Sequence, residues 1–108
     1  MTETQHQINF INWLEYHYPH LIYWHTPNGE IRNHIVGAKL KKMGVKRGVP
    51  DLFIPQYKCF IEFKTLKGKL SKEQKELKPH LESYGYVWIT AYGFLDAISK
   101  FKSMIGDS

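Results

Sequence analysis

Two short apolar runs, Asp51 to Pro55 and Cys59 to Lys64, are separated only by Gln56-Tyr57-Lys58. That spacing predicts a β-hairpin. It constrains the fold more than any other feature, because the second run carries two charges. Strand residues alternate between faces, so Glu62 and Lys64 point the same way while Phe60, Ile61 and Phe63 flank them. Burying a charge costs on the order of several kcal/mol unless it is paired or binds a metal. Taken alone, Glu62 and Lys64 read as a salt bridge on an exposed sheet face. Asp51 changes that reading, because a hairpin returns the start of its first strand to the end of its second. Asp51 shares the face of Glu62 and Lys64 only if it pairs opposite one of them rather than opposite Phe63. The register then calls for a two-residue loop, Gln56-Tyr57 or Tyr57-Lys58. Neither contains Gly or Asn, so a bulge or a wider turn is the alternative.

Around the hairpin the chain alternates helical and extended patterns. Ile8, Phe10, Ile11, Leu14 and Tyr18 recur at helical spacing and predict a helix from Glu3 to Tyr18, stopped by Pro19. Its capping box is either Thr2 with Gln5 or Thr4 with Gln7. Leu21 to Thr26 reads as a strand ended by Pro27-Asn28-Gly29, and Arg32 to Met43 as either a helix or an ordered loop, with Gly37 weakening the helix. Ser71 and Gln74 form a capping box opening a helix that Pro79 should kink and Gly85 should end. Tyr86 to Thr90 predicts a strand and Tyr92 to Phe101 a last short helix. The order indicates an α/β fold, a mixed central β-sheet flanked by helices. At 108 residues the chain fits one compact domain.

The net charge of +5 hides an uneven distribution. Between Arg32 and Lys72 lie eleven basic residues and two acids, a net of +9, and the remainder carries four basic residues and eight acids, a net of −4. The basic middle is the footprint expected for a phosphate-rich partner, and its only acids are Asp51 and Glu62. Two carboxylates suit a hard divalent cation such as Mg²⁺, which keeps positions for water and phosphate oxygens. A nearby ammonium can orient the attacking water and stabilise charge during phosphoryl transfer.

Pro50-Asp51 and Glu62-Phe63-Lys64 resemble the PD-(D/E)XK nuclease motif. The wider pattern is similar to the VRR-NUC branch of that superfamily, particularly its small standalone members from phages and bacteria. The matching stretches are Glu3-x-x-x-Gln7, Pro27-Asn28-Gly29, the run from Gly44 to Asp51, Ile61-Glu62-Phe63-Lys64 and Gly68-Lys69-Leu70-Ser71-x-x-Gln74. The resemblance implies a restriction-endonuclease-like core and one nuclease domain over residues 1–108. It implies Mg²⁺- or Mn²⁺-dependent phosphodiester hydrolysis, with Asp51, Glu62 and the Phe63 backbone carbonyl as metal ligands. Lys64 would position the nucleophilic water, and Gln74 would line the site. The substrate implied is DNA, as branched structures or four-way Holliday junctions, and the assembly a homodimer. Asn28, Arg32, Lys39, Lys46, Arg47, Lys67 and Lys69 are candidate DNA contacts. The superfamily often adds an acid from the first helix. Glu3 is preferred over Glu15, because Gln7, Phe10 and Leu14 lie within about 40° of Glu3 around the helix.

Other signals are set aside. Six histidines include His17 and His20, but Pro19 separates them and no zinc set is completed. The single cysteine, Cys59, excludes an internal disulfide and reads as a small buried hydrophobe. Trp13, Trp24 and Trp88 are assigned to the core. No glycine run has P-loop spacing, so no nucleotide cofactor is expected. No apolar run approaches the about 20 residues of a membrane span, and no secretory pattern opens the chain, so a cytoplasmic protein is expected. A non-catalytic nucleic-acid-binding module and a sequence-specific restriction-type nuclease are the competing readings.

Overall fold

The computed structural model describes residues 1–27 and 34–107. Helix α1 (Glu3–His17) starts at Thr2, whose hydroxyl accepts from the Gln5 backbone while the Gln5 side chain accepts from the Thr2 N–H. Of the two candidate capping boxes, Thr2 with Gln5 is therefore the one formed. Strand β1 (Trp24–His25) is shorter than the Leu21-to-Thr26 stretch suggested. Its pairing, Trp24↔Phe53 and His25↔Leu52, is limited by a neighbour of three residues. One further bond, Thr26 N–H to the Asp51 carbonyl, extends the contact. Asn28 and Gly29 of the expected turn lie outside the described residues.

The basic segment folds as helix α2 (His34–Lys42), so Gly37 is accommodated in a helix. It ends in a Schellman motif at Gly44 (φ 100°), with Val45 N–H bonded to the Leu40 carbonyl and Gly44 N–H to the Lys41 carbonyl. Strands β2 (Leu52–Ile54) and β3 (Cys59–Lys64) form the hairpin, paired Leu52↔Ile61, Phe53↔Phe60 and Ile54↔Cys59. The register is that of a loop centred on Gln56-Tyr57, but the connection is the wider one. Pro55–Tyr57 make a 3₁₀ turn, and Lys58 takes the left-handed conformation (φ 50°) that glycine would normally supply.

Helix α3 (Lys72–Ser83) opens on the Ser71–Gln74 capping box and runs through an exposed Pro79. Strand β4 (Val87–Tyr92) then lies parallel to β3, and helix α4 (Phe94–Ile105) closes the described chain. The sequence placed the strand end at Thr90 and the helix from Tyr92 to Phe101. Pairing of Lys64 with Tyr92 draws the strand two residues further, and Gly93 (φ 94°) makes the break. Met104 and Ile105 pack on the core and carry the helix on to Gly106.

The sheet order is β1-β2-β3-β4, antiparallel except for the β3–β4 pair. One face carries Leu52, Ile54, Cys59, Ile61, Phe63, Ile89 and Ala91, all buried beneath Phe10 and Leu14 of α1 and Ala97 and Phe101 of α4. Phe10 touches Phe63, Phe101 and Trp13, its ring centroid within 6.0 Å of each. The alternate positions, including Phe53, Phe60, Glu62, Lys64 and Trp88, point to the opposite face, where α3 lies over the β3–β4 end. Among the described residues no helix is long and apolar enough to cross a membrane.

Gly48 joins the two halves of this arrangement. It has φ 88°, and a Cβ there would stand 2.9 Å from the Glu73 carbonyl carbon and 3.1 Å from the Gln74 nitrogen. Gly44 also has positive φ, but an added Cβ would meet nothing within 4 Å. Gly44→Ala therefore carries only the backbone cost of about 1–2 kcal/mol. Gly48→Ala adds a collision with helix backbone and is expected to destabilise more, as urea unfolding of the two variants would reveal.

Candidate active site

Continuing the β2–β3 register by one residue sets Asp51 opposite Glu62, and by a second sets Pro50 opposite Phe63. The two acids clasp each other's strands. Phe63 N–H donates to Asp51 Oδ2 at 2.9 Å, and Asp51 N–H donates to Glu62 Oε1 at 3.2 Å. Within a strand the N–H and C=O of one residue point to the same neighbour. The Phe63 carbonyl thus faces the Asp51 side, where Pro50 has no N–H to offer it. Two carboxylates and a carbonyl freed from the ladder gather at one end of the hairpin.

Lys64 Nζ stands 3.3 Å from Glu62 Oε2, and both side chains are largely buried. The turn after it holds its stem, since a Cβ on Gly68 would come within 3.2 Å of Lys64 Cβ. Gln74 is buried and does two jobs. Its Oε1 accepts from Ser71 N–H at 2.9 Å, completing the capping box, and its side chain also hydrogen-bonds Glu62. Gly48 lets the Gly48-Val49-Pro50-Asp51 segment rest on the same helix turn that carries Gln74.

The electrostatics follow from this crowding. Burial first, and then the Asp51 charge, push the Glu62 carboxyl up to about 7, against the pull of Gln74 and Lys64 in the other direction. A carboxylate strained in this way is one that a divalent cation would relieve. The donors are hard oxygens, as Mg²⁺ and Mn²⁺ prefer. On this chemistry Asp51, Glu62 and the Phe63 carbonyl fit the metal expected from the sequence.

The remaining candidates are more dispersed. Glu3 is exposed at the start of α1, and among the described residues no group of three His, Cys, Asp or Glu side chains is placed to hold a metal ion. The helical stripe does approach the site, but through the next turn. Gln7 lies 3.0 Å from His25 Nδ1, which lies 2.8 Å from the Asp51 carbonyl. Glu15 accepts instead from the Tyr23 hydroxyl. Lys39, Lys46, Arg47, Lys67 and Lys69 are exposed, and Asn28 and Arg32 lie outside the described residues.

Sequence reasoning missed two groups. His25 meets Asp51 only because β1 pairs with β2, a contact across 26 residues that no local spacing announces. The second is Tyr92 and Lys100, which with Asp96 line an open cleft of about 800 Å³ shared with the already expected Lys67 and Lys69. One assignment is corrected. Trp88 is buried and Trp13 packs against the core, but Trp24 is 50% exposed, because β1 is an edge strand on the face that α1 and α4 do not cover.

No family model matches the sequence, and no curated protein matches it. A solved structure described as a VRR_NUC domain protein does match, with a TM-score of 0.78 and 28% identity over 98% of this chain and 89% of that one. Fold and site therefore define a mixed α/β domain of restriction-endonuclease-like architecture. Within that class the chain is similar to a VRR-NUC domain, in agreement with its sequence resemblance.

The Glu62 shift has a sign that can be tested on metal-free protein. A carboxyl whose pKa rises from 4.5 to about 7 on folding binds its proton more tightly when folded. Its contribution to stability is full below pH 4.5 and is lost as the pH rises through about 7. Glu62→Gln removes the titration, so the melting temperature of the variant should gain on wild type between pH 5 and pH 7.5. Added Mn²⁺ should then raise wild type and leave the variant unmoved. Thermal melts at the two pH values, with and without the ion, read both effects.

Proposed function

We propose that this protein is a Mg²⁺- or Mn²⁺-dependent endodeoxyribonuclease. The observation that supports the reading best is the clasp of Asp51 and Glu62, with Lys64 and Gln74 on the same carboxylate. Asp51, Glu62 and the Phe63 carbonyl hold the cation. When bound, that ion supplies a Lewis acid for the phosphate and lowers the pKa of a water. Lys64 orients the attacking water and offsets charge on the phosphoryl oxygens. Gln74 fixes the Glu62 rotamer, and α3 keeps bulk water from that side of the carboxylate. Glu3 remains the proposed helix-1 acid, one turn before Gln7 on the same stripe of α1.

The exposed basic residues Lys39, Lys46, Arg47, Lys67 and Lys69 contact the DNA backbone in this reading, with Asn28 and Arg32. They neutralise phosphates without reading sequence. A single domain of this size has little surface of its own for base readout, which favours branched or junction DNA over a restriction-type target. A homodimer would set two such sites against two strands.

A nuclease assay on four-way junction and linear duplex DNA with Mn²⁺ tests the proposal. Wild type should cut the junction in preference. Lys64→Ala should lower the rate on the order of 10²–10⁴-fold while leaving DNA binding in place. Salt-sensitive binding with no metal-dependent cleavage would instead identify a non-catalytic binding module.

A further inference from the structure

The registers align a full row of aromatic side chains across the sheet. Trp24 pairs with Phe53, Phe53 with Phe60, and Phe60 with Trp88. Their side chains lie on the face of Glu62 and Lys64, one alternate position along β2 and β3 from Asp51 and Glu62. That step is about 6.7 Å. Ring centroids are 5.2 Å apart for Trp24 and Phe53 and 4.4 Å for Phe53 and Phe60. Tyr86 adds a fourth accessible ring, 5.6 Å from Phe60, with Lys58 Nζ 4.6 Å above it. The row is graded in exposure. Trp88 is 7% exposed, Phe53 and Phe60 are partly buried, and Trp24 is 50% exposed.

Among the described residues this row is not part of the hydrophobic core, because Leu52, Ile54, Cys59, Ile61 and Phe63 all serve the opposite face. Its size also argues against a protein partner. An aromatic side chain buries about 150–250 Å² in all, so four rings that are already partly covered offer at most about 400 Å². A stable protein interface needs about 800 Å² from each partner. A patch of open rings with a cation at its end, beside a phosphate-directed site, has the composition of a platform for single-stranded nucleic acid.

We propose that Trp24, Phe53 and Phe60 form a stacking platform for an unpaired DNA base, held beside the phosphate that Asp51 and Glu62 address. The inference rests on the nuclease reading and narrows its substrate. Bases inside a duplex are stacked on one another and cannot reach the platform, whereas a splayed strand at a branch can. Trp24 is the outermost ring and makes the widest contact, and Phe53 and Phe60 continue the surface towards the carboxylates.

Binding without cleavage separates this inference from the nuclease reading. In a Lys64→Ala background without divalent metal, fluorescence anisotropy would follow a splayed-arm DNA and a fully paired duplex of equal length. Replacing Trp24 by Leu should weaken the splayed arm roughly 5- to 150-fold and the duplex by less than about twofold, with Trp24→Phe retaining most of the affinity. Wild-type tryptophan fluorescence should be quenched by the splayed arm, and Trp24→Leu should abolish the quench. Equal losses on both DNAs, or no loss on either, overturn the platform while leaving cleavage to be judged by its own assay. A change in oligomeric state on Trp24→Leu, seen by light scattering, also overturns it, since the row would then be a self-association surface. Failure of every form to bind DNA overturns both readings.

Discussion

The site depends on one reciprocal interaction, in which each of two carboxylates takes a backbone N–H from the strand of the other. Asp51 accepts from Phe63, and Glu62 accepts from Asp51. This clasp exists only in a register that sets Asp51 opposite Glu62. What enforces that register is on the other side of the sheet. Leu52, Ile54, Cys59, Ile61 and Phe63 are fully buried, and a slip of one residue would turn all of one strand's apolar set outward. It would also turn the charged positions of that strand into the packing of α1 and α4. Burial of the hydrophobic face and placement of the charges are therefore the same constraint seen from two sides.

Much of this was legible in the sequence because alternation is a local signal. The apolar–charged pattern of Cys59 to Lys64 identified the hairpin, the shared face of Glu62 and Lys64, and the need for Asp51 to pair opposite one of them. The Ser71–Gln74 capping box and the role of Gly85 after α3 were equally local, and both are present. The wider hairpin turn was an open alternative because a left-handed Lys58 cannot be told from a bulge in advance. Non-local facts were hidden. Trp24 looked like core in a β-rich run, yet its exposure is decided by β1 lying at the sheet edge. The link from Gln7 through His25 to Asp51 joins three elements far apart in sequence. Helical periodicity identified the stripe of α1 that faces the site but not which turn of it comes closest, and Gln7 rather than Glu3 makes that approach.

Gln74 shows how a structural and a functional role can occupy one side chain. Its amide oxygen satisfies the Ser71 N–H at the start of α3, and the side chain also bonds Glu62. The helix start is thereby tied to the carboxylate, and Gly48 permits the approach of the segment carrying Asp51. Pro50 contributes by what it lacks. As the residue opposite Phe63 it cannot donate to that carbonyl, and a group normally consumed by the ladder is left to the site.

The net charge now has a spatial meaning. The basic residues of the middle segment whose side chains are described are mostly exposed, while its two acids are drawn inward and together. Burial, and then the charge of Asp51, raise the Glu62 pKa, a local loss that a core built only for stability would not contain. Substitution by an apolar pair would remove that cost, whereas a divalent cation removes it and keeps both oxygens in use. The same strands place Phe53 and Phe60 one alternate position away, in a row with Trp24 of β1 that is not part of the hydrophobic core of the described residues. An expensive acidic pair beside an aromatic row that the core does not use is a combination that stability alone does not explain, and the proposed binding of a metal, a phosphate and an unpaired base would account for it.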